Sequence, residues 1–107
     1  MPTSSEISDM MVEGFVADKA QGLDAVLQFD LSGDDGGQFY LVINDGEITK
    51  SDGSHESPNM TLKASAEDYY KVATGQMNAM QAFMSGKIKI QGDMSMAMKM
   101  QSLFQNS

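Results

Sequence analysis

The stretch MNAMQAFMSGKIKIQGDMSMAMKM, residues 77–100, carries the pattern from which the fold is predicted. It holds seven of the eleven methionines of the chain. Helical spacing up to Gly86 gives way to strand-like alternation over 87–91, and helical spacing returns after Asp93. Because methionine is flexible and polarizable, this composition indicates an interior that adapts to irregular or variable shapes.

Two short apolar helices are predicted on either side of the strand. The first begins at Asn78, which has N-cap spacing to Gln81, and ends at Gly86. The second is capped by Asp93. The side chains expected to form the inward faces of the two helices are Met80, Phe83 and Met84 in the first, and Met96, Met100 and Leu103, with Met94, Ala97 and Met98 beside them, in the second.

The chain before this stretch predicts a helix, a run of strands and a further helix. Thr3 and Glu6 have capping-box spacing ahead of an apolar stripe that includes Met10 and Phe15. Asp45-Gly46 is a two-residue hairpin signal between strands. Strands are predicted from the patterns of residues 23–31, 39–44, 47–51 and 60–64, and a helix capped by Ser65 follows them. This order predicts an α+β fold in which helices lie over one sheet.

Length and composition restrict the classes of function. A chain of 107 residues fits a single domain, 1–107. The formal net charge of −8 and the absence of arginine argue against nucleic-acid partners and against adsorption to anionic membranes. No apolar run approaches the roughly 20 residues that span a bilayer, so stable membrane insertion is not expected. The first residues lack a secretory pattern, and a cytoplasmic location is therefore expected.

The residues give little support to catalysis, metals or cofactors. The chain has no cysteine and one histidine, His55, in a hydrophilic segment that reads as a solvated loop. The alternating methionines at 94, 96, 98 and 100 are of a type that binds Cu(I). On a helix, however, residues two apart point about 200° apart, so the four sulfurs do not converge and packing is the preferred role. We expect no enzyme activity, no cofactor and no metal site.

The second half of the chain resembles the sterol carrier protein 2 (SCP-2) family. The matching residues are Ala66–Val72, Thr74–Asn78, Ala82–Ile90, Gly92–Met94 and Ala97–Lys99. They form a run close to the family pattern T-G…N…A-F-x-x-G-K-(I/L)-K-I-x-G-(N/D)-M. The first half is similar in layout only, with an N-terminal helix, a glycine-rich hairpin, an aromatic second strand and an N-D-G turn.

The resemblance implies a five-stranded, mostly antiparallel mixed sheet, covered on one face by helices with an apolar tunnel between. Family members are non-enzymatic binders or carriers of fatty acids, acyl-CoAs, sterols or phospholipids, alone or fused to enzymes. This chain resembles the stand-alone form, with a lipid-metabolising enzyme as an expected partner. Tyr40, Ala79, Met80, Met96 and Met100 depart from the family pattern, and the methionines leave the tunnel width and ligand choice open.

The expected tunnel lining comes from the apolar faces of the predicted elements. It comprises Met77, Met80, Phe83, Met84, Ile90, Met94, Ala97, Met98, Leu103 and Phe104, with Met10, Phe15 and Leu41 from the opposite side. Ordinary core packing is the alternative role for each, and the preferred one for Ile90 and Leu41. Lys87, Lys89 and Lys99 are adequately explained as a solvated face, with steering of an acidic headgroup as the other interpretation.

Two functional hypotheses remain open at this point. In the first, the chain binds a long-chain lipid in an open tunnel. In the second, it is an accessory or protein-interaction domain whose cavity is filled by Met80, Met96 and Met100. A monomer or a weak dimer is expected, since Leu103 or Phe104 at the end of the last helix could form a dimer contact or a tunnel lid.

Overall fold

The computed structural model describes residues 3–34 and 36–103, without the side chains of residues 97, 98 and 100–102. Its elements follow the predicted order of helix, strands, two helices, strand and helix. A single 3-10 turn, Ala17–Ala20, precedes the first strand. The helices are α1 Ser4–Glu13, α2 Ala66–Ala73, α3 Ala79–Met84 and α4 Met94–Leu103, and the strands are β1 Asp24–Ser32, β2 Gly37–Asn44, β3 Glu47–Asp52, β4 Met60–Ser65 and β5 Ile88–Gly92.

Side-chain caps fix the helix starts where the sequence predicts them. The Thr3 hydroxyl accepts a hydrogen bond from the Glu6 amide, and the Glu6 carboxylate accepts one from the Thr3 amide. The Asn78 side chain accepts from the amides of Met80 and Gln81 at the start of α3. The Ser65 hydroxyl and the Asp93 carboxylate cap α2 and α4 in the same way. All four predicted caps are confirmed.

The five strands form one mixed sheet in the order β3-β2-β1-β4-β5. β1 and β4 are parallel, and the other neighbouring pairs are antiparallel. Asp45 and Gly46, with φ of 46° and 85°, form the predicted turn between β2 and β3. The predicted α+β architecture and the mixed five-stranded sheet are confirmed.

The helices pack on one face of the sheet, which we call the inner face. It presents Leu27, Phe29 and Leu41, all fully buried. The Phe29 ring stacks on Phe39 with 4.9 Å between centroids, and it contacts the tilted ring of Tyr69 from α2 at 5.5 Å. This aromatic cluster fills the layer between β1, β2 and α2. Burial raises the pKa of the Tyr69 hydroxyl well above its ordinary value.

The opposite, outer face of the sheet is partly covered by the loop after β3, a feature that the sequence did not reveal. Gln28, on this face of β1, is 3% exposed. Its side-chain amide donates to the carbonyls of Phe39 and Gly53, and its oxygen accepts from the His55 amide at 2.8 Å. His55 is half-buried and its ring meets the Tyr40 ring edge-on at 5.2 Å. The prediction that His55 lies in a loop is confirmed, but its side chain is half-buried rather than solvated, because Gln28 holds this loop against the sheet.

Candidate functional site

The residues predicted to line a tunnel fall into two groups. Leu41 and Leu103 are fully buried. Met10, Phe15, Met77 and Ile90 are half-buried and pack against the core. In contrast, four of the predicted lining residues are exposed: Met80 by 46%, Phe83 by 37%, Met84 by 79% and Met94 by 44%. Phe104 and the side chains of Ala97 and Met98 lie outside the described residues.

The prediction that Met80, Phe83 and Met84 face inward from α3 was wrong. The inward face of α3 is formed by Ala82, which is 1% exposed, and by half-buried Ala79. These two residues are three apart and share one side of the helix. Because α3 is apolar nearly all round, periodicity does not identify its buried side. The alanine side lets the helix approach the sheet and α2 closely, and this leaves the larger side chains outside.

Met80, Phe83 and Met84 form an exposed apolar surface, which we call the α3 surface. They occupy positions i, i+3 and i+4 and therefore lie on one side of the helix. Exposed groups of large apolar side chains in a small domain mark a site for a ligand, a partner or a lipid phase. Two methionines and a phenylalanine make this surface deformable as well as apolar.

The connections of α3 to the rest of the chain are short and contain glycines. Gly75 before the helix and Gly86 after it both have positive φ, of 80° and 81°. The Lys87 amide donates to the Ala82 carbonyl at 2.9 Å, which closes the end of the helix onto the start of β5. With one and a half turns and few buried side chains, α3 is an element of low local stability.

α4 packs against β4 and β5, at the same edge of the sheet as α3. Met96 and Leu103 on this helix are 9% and 0% exposed, as predicted for the inward stripe. The Val16 amide donates to the Leu103 carbonyl at 2.7 Å, so the end of α4 is tied to the segment after α1. Met96 therefore occupies interior space, whereas Met80 does not, and the side chain of Met100 lies outside the described residues.

The described residues offer little reactive chemistry. They contain no cluster of three or more histidine, cysteine or acidic side chains placed to hold a metal ion. The buried Tyr69 hydroxyl lies 3.6 Å from the Met11 sulfur, within the core rather than in a cleft. No helix within residues 3–34 and 36–103 combines the length and apolarity needed to cross a membrane.

The fold and the α3 surface define a class of protein. It is an α+β domain with helices over the inner face of a mixed sheet and with exposed apolar side chains on a short helix beside the edge strand β5. The chain belongs to the SCP-2 sterol transfer family, whose sequence profile matches residues 13–105. The SCP-2 resemblance of residues 66–99 is thereby confirmed. Membership implies lipid binding or transfer in general.

Among curated relatives, the chain is similar to hydroxysteroid dehydrogenase-like protein 2 of Bos taurus. The two are 36% identical over 88 residues, which are 80% of this chain and 21% of the relative. The chain thus spans about a fifth of the length of that relative. The matching region of such relatives is one part of a larger protein.

Two solved structures share the fold. The sec-alkylsulfatase Pisa1 from Pseudomonas sp. aligns with a TM-score of 0.84 and 22% identity, over 95% of this chain and 16% of that one. Palmitated SCP2L2 from Aedes aegypti aligns with a TM-score of 0.74 and 20% identity, over 96% of this chain and 95% of that one. The second shows that this architecture also occurs as a protein of similar length.

Proposed function

We propose that this chain binds one long-chain lipid in an apolar tunnel between the helices and the inner face of the sheet, and carries it in the cytoplasm without chemical change. Fatty acids and fatty acyl-CoAs are the proposed ligands, with sterols or phospholipids as further candidates. The observation that carries the proposal is the α3 surface. Met80, Phe83 and Met84 expose apolar area that an acyl chain would cover.

α3 is suited to act as a movable wall of the tunnel. Its inward alanines bury little surface, and glycines flank it on both sides, so a small displacement has a low energetic cost. A shift of α3 away from β5 would admit an acyl chain between Ile90 and the helix. Rotation of the helix would then bring Met80 or Met84 onto the ligand.

The energetics allow such binding without a charged clamp. Burial of an acyl chain contributes about 0.8 kcal/mol per methylene, or roughly 12 kcal/mol for a chain of about sixteen carbons. Lost ligand freedom and incomplete desolvation remove several kcal/mol of this gain. A micromolar affinity, near −8 kcal/mol, is the result. Specificity for chain length is expected to be loose, because single methylenes discriminate weakly.

The relatives support the ligand class and the choice of partner. The Aedes aegypti protein of similar fold was solved in a palmitated form. The Bos taurus relative and Pisa1 carry the matching region within a larger protein. We propose a lipid-metabolising enzyme as the partner that donates or accepts the lipid, and a monomer or weak dimer as the state of this chain.

A second candidate function rests on the burial of Met96 and Leu103. Both side chains are buried on α4, which packs against β4 and β5. If they fill the space between α4 and the sheet, the domain binds no lipid and serves as an accessory or protein-interaction domain. In that case the α3 surface is the contact with a protein partner.

Native mass spectrometry of protein purified from cells, combined with thermal unfolding, separates the two functions. The lipid carrier is expected to retain a co-purified lipid and to unfold at a higher temperature with oleate. Met84→Lys, which places a charge on the α3 surface, should weaken binding, whereas Gln81→Lys places the same charge beside this surface and should preserve it. The absence of any bound lipid, together with unchanged melting in fatty acids, acyl-CoAs and sterols, would favour the accessory domain.

A further inference from the structure

The charge of this chain is unevenly distributed along the sequence. Residues 1–59 carry two lysines and twelve acidic residues, whereas residues 60–107 carry five lysines and three acidic residues, so their formal net charges are −10 and +2. β4 and β5 belong to the basic part. The outer face of these two strands is therefore the place to look for an anionic ligand.

Three exposed lysines lie together on this outer face. Lys63 of β4 and Lys89 of β5 are register partners across the antiparallel pair. Lys87 directly precedes β5 and lines the same groove as Lys63 and Lys89. Like charges at directly opposed positions of a sheet destabilise the fold. This arrangement is unfavourable for the isolated domain and becomes favourable when an anion lies between the ammonium groups.

Within the described part of the chain, none of these three lysines forms an ion pair with a carboxylate. The ion pairs there join Lys50 to Asp9 and Lys71 to Glu67. Asp30 is the register partner of Lys63 on β1. Its carboxylate accepts hydrogen bonds from the side chains of Gln28 and Gln38, each at 3.2 Å, and makes no ion pair with Lys63.

The three lysines line an open groove of about 590 Å³. The groove runs across the ends of the parallel strands β1 and β4, where Ser65 and Gly86 also line it. The lining includes one acidic residue, Asp30, so the three lysines leave an excess of positive charge. This volume lies in the range of about 300–1,000 Å³ that is typical of small-molecule sites. Exposed lysine side chains around one groove are suited to phosphate oxygens, which an ammonium group binds as a point charge.

We propose that this groove is a binding site for a compound with two or more phosphate charges. The site uses Lys63, Lys87 and Lys89, and it lies on the face of the sheet opposite the helices. It is therefore separate from the proposed lipid tunnel and does not depend on it. The overall negative charge of the protein opposes an anionic bilayer and favours a soluble phosphate compound as the source.

The test is a titration of the 107-residue chain with sodium pyrophosphate, followed by ¹⁵N NMR and calorimetry at low ionic strength. Amide shifts are expected for Lys63, Lys89 and Ser65. The double variant Lys63→Gln/Lys89→Gln should bind at least about tenfold more weakly, because two of three charge-assisted contacts are lost. The single variant Lys19→Gln, which removes a lysine remote from the groove in the acidic part, should bind as the parent does.

Three results would overturn the proposal. The first is no saturable binding of pyrophosphate by the parent protein. The second is equal affinity in the parent and the double variant while both remain folded by circular dichroism. The third is binding of phosphatidic acid vesicles or of an acidic peptide, poly-glutamate, without binding of pyrophosphate, which would assign the lysines to a membrane or to a protein partner instead.

Discussion

A matched pair of methionine substitutions tests the distinction between the α3 surface and the interior. Met84 on α3 is 79% exposed and Met96 on α4 is 9% exposed. Glutamine has nearly the length and helix propensity of methionine, so Met84→Gln and Met96→Gln change mainly the polarity of each side chain. The two variants should separate stability from binding.

The magnitudes follow from the exposed fractions. Full burial of a methionine side chain contributes about 1.5–3 kcal/mol. Since only a fifth of Met84 is buried, its replacement should lower the free energy of unfolding by at most about 0.6 kcal/mol. At position 96 the same change loses most of that burial and leaves an amide without a partner, which costs about 2–4 kcal/mol in total.

For lipid binding, the ranking of the two variants should be reversed, with the larger loss of affinity in Met84→Gln. If an acyl chain covers the exposed part of Met84, its loss costs about 1–2 kcal/mol, which weakens binding roughly 5- to 30-fold. Urea denaturation gives the stabilities, and displacement of a fluorescent fatty acid gives the affinities. A loss of more than about 1 kcal/mol of stability in Met84→Gln would show that this side chain packs inward, and unchanged affinity would remove it from the lipid site.

Three further predictions concern the fold around the site. Gln28→Ala should lower the free energy of unfolding by about 2–3 kcal/mol in denaturant titrations, since it leaves buried main-chain groups unpaired and frees the loop at His55. A smaller loss than about 0.5 kcal/mol would contradict the role of this amide. Because burial raises the pKa of Tyr69, the contribution of this group to stability should be constant below about pH 10, the ordinary tyrosine pKa. Above that pH it should fall by about 1.4 kcal/mol per pH unit, because only the unfolded chain loses the proton. Tyr69→Phe should remove this alkaline loss in unfolding curves taken from pH 8 to 11, and persistence of the loss would assign it to other groups. Ser65→Ala should cost about 1 kcal/mol through the lost cap, while Ser54→Ala, in an exposed loop, should change chemical-denaturation midpoints little, and equal effects of the two would argue against the cap.

Local sequence signals were sufficient to predict most of the secondary-structure elements. Caps at Asn78 and Asp93, the Asp45-Gly46 turn and the alternation of residues 23–31 each report on a few neighbouring residues, so one sequence suffices to place them. The parallel pairing of β1 with β4 is a contact between distant segments, which alternation does not encode. The SCP-2 resemblance implied a mixed sheet but did not identify this pair, and the strand patterns alone predicted antiparallel neighbours.

The site was predicted less well than the fold. On α3, the alanine side and the methionine side are both apolar. Which of the two is buried depends on how closely the helix approaches the sheet. The burial of Gln28 was not predicted, because its partners Gly53 and His55 lie more than twenty residues away in the sequence. The proximity of Lys63 to Lys89 likewise depends on the register of β4 and β5, which the sequence alone does not supply.

The central claim is that an acyl chain binds next to the inner face of the sheet and contacts the α3 surface. The eleven methionines are built-in probes of this claim, because each methyl group gives a separate signal in a protein labelled with [methyl-¹³C]methionine. On titration with oleate, the methyl signals of Met80 and Met84 should shift in a saturable way and show nuclear Overhauser contacts to the acyl chain. The methyl signal of Met11, which is buried near Tyr69 in the core, should not shift. Saturable binding that leaves Met80 and Met84 unchanged, or no binding at all, would contradict the claim.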